Sequence, residues 1–322
     1  MDTAWPSGFD INNDGYQDIF TPDSDVTSDT LFLLFLGGPA GPGPTPNGRF
    51  SDWIGVAGDI DGDGFGDVTV GESLYFGSPA GISTSPAAAM PTPYWFPVGD
   101  NNNDGYGDIM IYPPRPYRNS RMVSLVPGGP RGLLGDLGVP VTWIGDHKRY
   151  QTWGATAGDL NGDRREDAIV RVGTPGKTGD EPGIEIVRSR GTSWETARRL
   201  VCGGWPTQST VAVGDVNGDG YADLWAKCYG ARPYFAAGGP SGSPTIRTPS
   251  APALYVYPIG DVNGDGCSDL IMSDDSTSTI HYGVAGANVA TTAGRSVGRQ
   301  HLRPVYDVNG DGYDDLLEYS RS

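Results

Sequence analysis

Short apolar runs alternate with turn-forming residues along the whole 322-residue chain. Typical runs are Val68 to Val70, Ile109 to Ile111 and Leu270 to Met272, and β-branched or large apolar side chains dominate them. Such residues favour strands over helices. Fifty glycines and 27 prolines, spread along the chain, supply turns between these runs. The pattern predicts an all-β protein with many short strands.

A nine-residue motif, Asp-x-Asn/Asp-x-Asp-Gly-aromatic-x-Asp, recurs seven times between these predicted strands. The copies begin at Asp10, Asp59, Asp100, Asp159, Asp215, Asp261 and Asp307, with spacings of 41 to 59 residues. A repeat in the forties is typical of one four-stranded propeller blade. Each motif is flanked by apolar runs, so it joins a first strand, A, to a second, B. We therefore predict a single seven-bladed β-propeller domain over residues 1–322.

The spacing of the motifs also predicts how the blades are completed. A third strand ending in a Gly/Pro turn follows most copies, as in Leu125 to Pro130, but the repeat after Asp159 has Ile184 to Arg188 without that turn. Seven residues follow Asp315, which is room for strand B alone. We expect the last blade to be incomplete, and a strand from a partner could complete its edge.

The residue types at alternating motif positions predict calcium sites. Calcium takes six to eight oxygen ligands, and a short loop supplies them by wrapping around the ion. Side chains at positions 1, 3 and 5 point inward, glycine at position 6 allows a tight turn, the carbonyl of position 7 faces the ion, and Asp at position 9 closes the shell. The predicted ligands are Asp10, Asn12, Asp14, Tyr16 and Asp18; Asp59, Asp61, Asp63, Phe65 and Asp67; Asp100, Asn102, Asp104, Tyr106 and Asp108; Asp159, Asn161, Asp163, Arg165 and Asp167; Asp215, Asn217, Asp219, Tyr221 and Asp223; Asp261, Asn263, Asp265, Cys267 and Asp269; and Asp307, Asn309, Asp311, Tyr313 and Asp315.

We expect six or seven calcium ions, with the loop that begins at Asp159 the weakest site. In that loop Arg164 replaces the glycine and must accept a left-handed conformation, at a cost of about 1 kcal/mol. EF-hands fit the loops poorly, because only one copy has Glu at position 12 and the flanks are strands. Magnesium fits less well than calcium, because it prefers fewer protein ligands and keeps its waters.

The charge of the chain agrees with bound cations and argues against several partners. The net charge is −17, so nucleic acid and anionic membranes are poor partners. Of the 39 acidic residues, 22 lie at ligand positions of the seven loops. No apolar run approaches the length of about 18 residues that a membrane span needs. The N-terminus shows no signal peptide pattern.

The sequence offers little support for an enzyme. His147, His281 and His301 have no zinc-binding or triad-like spacing, and no phosphate loop, dinucleotide fingerprint or Gly-x-Ser-x-Gly motif occurs. The paired carboxylates all lie in the predicted calcium loops. We predict no catalytic residues. Of the three cysteines, Cys202 and Cys228 flank one hairpin, so both pairing and small apolar packing remain open.

The chain resembles the FG-GAP repeats of integrin α-subunit β-propellers and their bacterial relatives. The resemblance rests on the Gly214 to Leu224 motif and on the Gly-Gly-Pro-x-Gly turns, and it covers nearly the whole chain. It implies blades around a central axis, calcium loops on one face, and partners docking on the opposite face. All seven copies here carry the motif, whereas the animal proteins carry calcium loops in only some blades.

The function expected from these features is an extracellular, calcium-binding interaction or adhesion module of a bacterium. The geometry implied by the resemblance makes two basic, aromatic stretches candidates for the partner surface; their residues include Arg115, Tyr117, Arg118, Arg121, Lys148 and Arg149. The alternative is a lectin-like propeller that stacks sugars on tryptophans such as Trp5, Trp53, Trp95 and Trp153. A polysaccharide-active enzyme is a weaker third hypothesis.

Overall fold

The computed structural model describes residues 9–23, 31–90, 95–111, 124–133, 139–140, 142–144, 151–172, 183–191, 193–201, 211–227, 233–241, 244–247, 255–273, 277–286, 292–298 and 301–319. Every regular element in these ranges is a β-strand, and they contain no helix. Accordingly, the described residues include no helix of the length and hydropathy that a membrane crossing requires.

The strands form sheets whose members follow one another along the chain, as blades of a propeller do. Six sheets have three to five strands: β1 (Ile19–Pro22), β2 (Phe32–Phe35) and β3 (Gly48–Phe50); β4 (Ile54–Gly58), β5 (Asp67–Val70), β6 (Ser73–Tyr75) and β7 (Ala88–Ala89); β8 (Trp95–Pro97), β9 (Ile109–Ile111), β10 (Ser124–Val126) and β11 (Val139–Pro140); β12 (Thr142–Ile144), β13 (Gln151–Gly158), β14 (Asp167–Val172), β15 (Gly183–Ser189) and β16 (Ser193–Val201); β17 (Val211–Gly214), β18 (Asp223–Ala226), β19 (Tyr234–Ala237) and β20 (Thr245–Arg247); and β21 (Tyr255–Gly260), β22 (Asp269–Ser273), β23 (Ser278–Tyr282) and β24 (Thr292–Gly298).

The predicted all-β propeller is confirmed, but the predicted number of blades is wrong. The described residues form six blades rather than seven. The seventh loop lies in a hairpin of two strands, β25 (His301–Tyr306) and β26 (Asp315–Tyr319). The prediction counted this last repeat as an incomplete seventh blade, and in the described residues it is an A–B hairpin alone, because a full blade also needs a third strand to pair with strand B.

The fourth blade has an additional strand. Strand β12 pairs in parallel with β16, with Thr142 opposite Ser193, and the strand order is β12-β16-β15-β14-β13. The other strand pairs in this blade are antiparallel. The third strand predicted from Ile184 to Arg188 is confirmed as part of β15. The extra strand comes from the connection that precedes the blade, where the sequence carries no repeat signature.

The burial of both faces of the B strands explains why their sequences are nearly continuous apolar runs. Strands β9 and β18 are buried at every position, and β5 and β22 at every position except the last. A strand in the middle of a blade has a neighbouring blade on each face, so both faces need apolar side chains. Strand β21, an A strand, instead has exposed residues at Tyr255 and Tyr257.

Apolar clusters join each sheet to the next and close the ring. One cluster packs Val213 and Trp225 of the fifth blade against Val256 and Met272 of the sixth. A further cluster packs Val305 of the seventh hairpin against Ile19 of the first blade. The hairpin β25–β26 therefore completes the circle between the sixth and first blades.

A β-bulge precedes most of the Asp-rich loops. The register of the A–B pair shifts at Gly58, Gly158, Gly214 and Gly260, and each of these glycines has a positive φ. Glycine reaches this conformation without the steric cost that a side chain brings. In the seventh hairpin the same position holds Tyr306, with φ of 56°. In each case the bulge bends the backbone of strand A toward the loop that follows it.

Candidate metal centre

The first aspartate of each loop organises the turn that follows it. In the first loop the Asp14 N–H donates to Asp10 Oδ1 at 3.1 Å and the Gly15 N–H donates to Asp10 Oδ2 at 2.9 Å. The Tyr16 N–H donates to Asp14 Oδ1 at 3.0 Å. Such side chain to backbone bonds are the usual way in which Asp fixes a tight turn. They curl the loop so that its oxygens face one another.

The second loop shows the closest gathering of carboxylates. One oxygen each of Asp59, Asp61 and Asp67 lie within 4.8 Å of one another. Ligands that are 2.3–2.6 Å from a shared calcium ion are separated by such distances. The predicted ligands at positions 1, 3 and 9 are therefore brought together here. The Asp63 carboxylate accepts a hydrogen bond from the Phe65 N–H at 3.0 Å.

Three buried oxygens at predicted ligand positions have no hydrogen-bond partner. They are Oδ1 of Asn12, Asp59 and Asn217. A buried acceptor without a donor costs about 1–3 kcal/mol, so such atoms call for an explanation. Carboxylate and amide oxygens are the donor atoms that calcium prefers. The residues present therefore fit a hard divalent cation at these loops.

The ninth residue of the loop has a second role that the sequence did not reveal. Asp18 accepts the Ile11 N–H on Oδ2 at 2.7 Å and the Gly37 N–H on Oδ1 at 2.8 Å. The first donor belongs to the same loop, and the second lies at the end of the third strand. The same pair of bonds occurs at Asp67, Asp108, Asp167, Asp223 and Asp269. This carboxylate ties the loop to strand three, a role distinct from its predicted role as a ligand.

Burial strongly perturbs the acidity of these ninth-position carboxyl groups. The pKa of Asp18 is raised to about 6 and that of Asp223 to about 7, mainly by desolvation and to a smaller extent by the nearby loop aspartates. The two backbone N–H donors oppose this shift because they stabilise the charged form. A bound cation would also favour the charged form. The pKa of these ninth-position carboxyl groups is therefore raised in the protein without bound metal.

Backbone hydrogen bonds connect most loops to the next one around the ring, and the side chains of Asn101 and Arg165 join the third loop to the fourth. The Ser268 N–H donates to the Asp215 carbonyl at 2.7 Å, and the Asp314 N–H donates to the Asp261 carbonyl at 3.0 Å. The Gln17 N–H donates to the Asp307 carbonyl at 3.1 Å, which joins the seventh loop to the first. The loops therefore form a continuous belt on one face of the propeller.

Close side-chain packing reinforces this belt. A Cβ added to Gly62 would lie 2.8 Å from the Tyr106 ring, and one added to Gly310 would lie 2.6 Å from the Tyr16 ring. Each tyrosine is at position 7 of the following loop, and each glycine is at position 4. Distances below 3.0 Å exclude a side chain without rearrangement. At Gly62 and Gly310 the neighbouring loop therefore excludes a side chain, whereas Asn13 and Asn103 occupy the same position, also with positive φ, in the first and third loops.

The fourth loop keeps the turn but differs in its contacts. Arg164 adopts the left-handed conformation expected for it, with φ of 68°. Its N–H still donates to Asp159 Oδ2 at 2.7 Å. The Arg165 side chain turns toward the third loop, where its Nε donates to the Asn101 carbonyl at 2.9 Å. The arginines thus leave the path of the loop backbone intact.

Asn101 is a buried polar hub that sequence reasoning missed. Its Oδ1 accepts the Ser189 hydroxyl at 2.6 Å, and its Nδ2 donates to the Glu166 carbonyl at 3.1 Å. It is at position 2, which is Ile, Leu or Val in the other six loops. Ser189 likewise replaces the third-strand glycine of the other blades. Aligning the seven copies column by column would have revealed both departures.

Several predicted residues lie outside the described part of the chain. These are Arg115, Tyr117, Arg118, Arg121, Lys148 and Arg149 of the predicted partner surface, together with Trp5, His147, Cys202 and Cys228. The described residues include Cys267, which is a buried free thiol. They also include His281, whose pKa is lowered by burial.

The comparisons with known proteins agree with this architecture. Residues 207–224, which contain the whole fifth motif, match the family model for the FG-GAP repeat. Together with the propeller fold, this match is consistent with an FG-GAP β-propeller. No curated protein matches the chain.

Solved structures are similar in fold at low sequence identity. The crystal structure of BBS1N in complex with ARL6DN, soaked with lead, is 11% identical, with 100% of this chain and 90% of that chain covered and a TM-score of 0.52. The mercury-soaked crystal of the same complex is 10% identical, with 100% and 91% covered and a TM-score of 0.52. The V. cholerae biofilm matrix protein Bap1 is 11% identical, with 97% and 73% covered and a TM-score of 0.42.

A pair of substitutions in the second loop separates the two roles of its aspartates. We expect Asp67→Asn to lower the unfolding free energy by about 1–3 kcal/mol even in chelator, because its amide cannot accept the N–H bonds from both Ile60 and Gly77. Asp61→Asn is the matched control, because position 3 is Asn in the other loops. Urea unfolding with and without calcium measures both. If both variants lose the same amount of unfolding free energy, and lose it only when calcium is present, the structural role of Asp67 is contradicted.

The raised pKa values also predict how pH affects the chelated protein. The folded pKa of Asp67 and of Asp167 is about 7, above the ordinary aspartate value of 3.8, so their ionisation opposes folding. Their contribution to stability is fully present below the unfolded-state pKa of 3.8 and is lost as pH rises from there through the folded pKa of about 7. We expect the Tm in chelator to fall from pH 5 to pH 8, and calcium to reduce this fall. A Tm in chelator that stays level or rises over this range would refute the argument.

Proposed function

We propose that this FG-GAP-type β-propeller is a calcium-binding, non-catalytic interaction or adhesion module that works outside a bacterial cell. The proposal is supported most directly by the unpartnered, buried Oδ1 atoms of Asn12, Asp59 and Asn217. All three occupy ligand positions 1 or 3 of the repeated motif. A divalent cation satisfies such oxygens, whereas a merely polar turn leaves them unexplained.

The residues that would hold calcium are those at positions 1, 3, 5, 7 and 9 of the loops. In the second loop these are Asp59, Asp61, Asp63, the Phe65 carbonyl and Asp67. The ion would supply the positive charge that offsets three or four clustered carboxylates in each loop. The chain's own residues do the rest: the ninth aspartate ties the loop to strand three, and the belt of backbone bonds ties it to the next loop.

Calcium at these positions would stabilise the surface on which partners dock. At free calcium ten times the Kd, each site adds about 1.4 kcal/mol to folding by mass action. Several such sites together rival the whole stability of an ordinary domain. Extracellular calcium modules work with Kd values of about 10⁻⁴–10⁻³ M, so a secreted or surface location suits weak loop sites. A rigid propeller whose stability depends on calcium suits adhesion outside the cell.

Chelation tests this proposal directly. We expect the Tm to fall strongly when calcium is removed with EGTA and to recover with added calcium but much less with equal magnesium. Titration calorimetry should give six or seven ions for the seven loops. The loop beginning at Asp159 should be the last to fill. The proposal is contradicted if neither the Tm nor the hydrodynamic radius changes when the chelator is added.

Exposed aromatic side chains favour a lectin as the second candidate. Trp53 and Tyr255 are 45% and 47% exposed, and each lies six residues before its Asp-rich loop. Trp53 also packs against Phe32 with ring centroids 5.9 Å apart, which holds the indole in place. An exposed aromatic face in a fixed orientation is suited to stacking on a sugar ring.

A glycan array distinguishes the lectin from the protein-interaction module. If the lectin hypothesis holds, selective sugar binding should drop about fivefold in Trp53→Ala, because one stacked ring contributes about 1 kcal/mol. Tyr313→Ala is the control, since Tyr313 is 49% exposed but belongs to an Asp-rich loop. The absence of any selective sugar binding would leave the lectin hypothesis without support.

A further inference from the structure

The fourth blade carries arginines at places where the other blades carry uncharged residues. Arg164 and Arg165 occupy loop positions 6 and 7, which are otherwise glycine and an aromatic residue or Cys267. Arg188 and Arg190 lie at and just beyond the end of β15, where most other third strands lead into a glycine-rich turn. We call these four residues the arginine row. A concentration of cations in one blade is unexpected in a chain with a net charge of −17.

Hydrogen bonds place the arginine row on the face that carries the loops. The Ser189 N–H, between Arg188 and Arg190, donates to the loop residue Asp167 at 2.8 Å. The Arg165 guanidinium lies beside Gly191, since a Cβ added there would be 3.8 Å from its Nε. The row therefore runs from the fourth loop to the turn between β15 and β16.

The ends of the row are anchored in the two neighbouring blades. Arg165 Nε donates to the Asn101 carbonyl of the third loop, and Arg188 Nη1 donates to the Ser241 carbonyl of the fifth blade at 3.0 Å. These bonds fix the guanidiniums without neutralising them, because both acceptors are uncharged carbonyls. The row thus spans three blades in a fixed arrangement.

One carboxylate already occupies part of this cationic surface. Glu195 Oε2 accepts from Arg188 Nη2 at 2.9 Å and from Arg190 Nη2 at 2.8 Å. These guanidiniums lower the pKa of Glu195. A single carboxylate shared by two arginines leaves an excess of positive charge. The arrangement also shows that the Arg188 and Arg190 side chains are positioned to bind a carboxylate group.

The nearby carboxylates of Asp159, Asp163 and Glu166 accept hydrogen bonds from groups other than the arginine side chains. The carboxylate of Asp159 faces the backbone N–H groups of Gly162, Asp163 and Arg164 within its own loop. The Glu166 side chain accepts a hydrogen bond from the Thr156 hydroxyl. Arg164 is exposed, and the side chain of Arg190 is 47% exposed. These two guanidiniums are therefore the ones that an incoming anion would meet first.

We propose that the arginine row of the fourth blade is a docking surface for a short acidic peptide segment of a partner protein. Guanidiniums recognise carboxylates through paired, charge-assisted hydrogen bonds, as Glu195 does here. The segment must be short, because Asp104 and Asp219 are exposed in the loops on either side and would repel a long polyanion. This surface is separate from the predicted partner residues and does not depend on the identity of the metal.

The left-handed conformation of Arg164 allows this guanidinium to be removed by a glycine substitution without strain in the backbone. Arg164→Gly removes one guanidinium and restores the residue found in the other six loops, so the variant should fold at least as stably as the wild type. Arg190→Gln removes the most accessible charge of the turn. Arg49→Gln is the matched control, because Arg49 is an exposed arginine of the first blade that pairs with Asp23 at 2.9 Å.

Fluorescence anisotropy of the full chain with a labelled hexaglutamate peptide in calcium buffer tests the proposal. We expect Arg164→Gly and Arg190→Gln each to weaken binding by about fivefold, Arg49→Gln to leave it unchanged, and added salt to weaken it. The proposal is overturned if both blade-four variants bind like the wild type, if Arg49→Gln loses as much, or if polygalacturonate binds and the peptide does not. Calcium titration of the same variants keeps this result distinguishable from a failure of the calcium proposal.

Discussion

The fold depends on the carboxylate at the ninth position of each Asp-rich loop. In six of the seven loops one oxygen accepts an N–H from the loop itself, and the other accepts an N–H from the end of the third strand, as Asp223 does from Val216 and Gly238. These bonds hold the loop against the blade from which it projects. They also bring a negative charge into a buried place, which raises its pKa and creates a need for positive charge nearby. The same buried carboxylate thus holds the loop in place and favours a cation beside it.

The belt of loops extends this local arrangement to the whole ring. Position 8 of one loop donates its N–H to the first residue of the preceding loop in most of the blades, and the bond from Gln17 to Asp307 closes the circle. Apolar clusters between neighbouring sheets lie beneath the belt. A disturbance at one loop is therefore transmitted first to its two neighbours, because they share backbone hydrogen bonds. This coupling makes the loops a single structural unit on one face.

The fourth blade departs from this common plan at several positions together. Asn101 and Ser189 form a buried polar network in place of an apolar residue and a glycine. Arg165 reaches across to the third loop, and Arg188 reaches to the fifth blade. Strand β12 adds a fifth strand to the sheet. The departures are mutually compatible, since Asn101 bonds to Ser189, to Glu166 and to Arg165 of the fourth blade. This blade is accordingly where we place a specialised surface.

The sequence alone determined the strand class, the repeat and the candidate ligands, because these depend on local spacing: alternating oxygens, a glycine at the turn and apolar runs on either side. It also predicted the left-handed Arg164, since six other copies have glycine at that position. Only the tertiary structure decided the parallel fifth strand of the fourth blade, the second role of Asp67 and the hub at Asn101. These rest on partners far apart in the chain, such as Asn101 and Ser189, and no local pattern specifies which distant donor will meet a given acceptor.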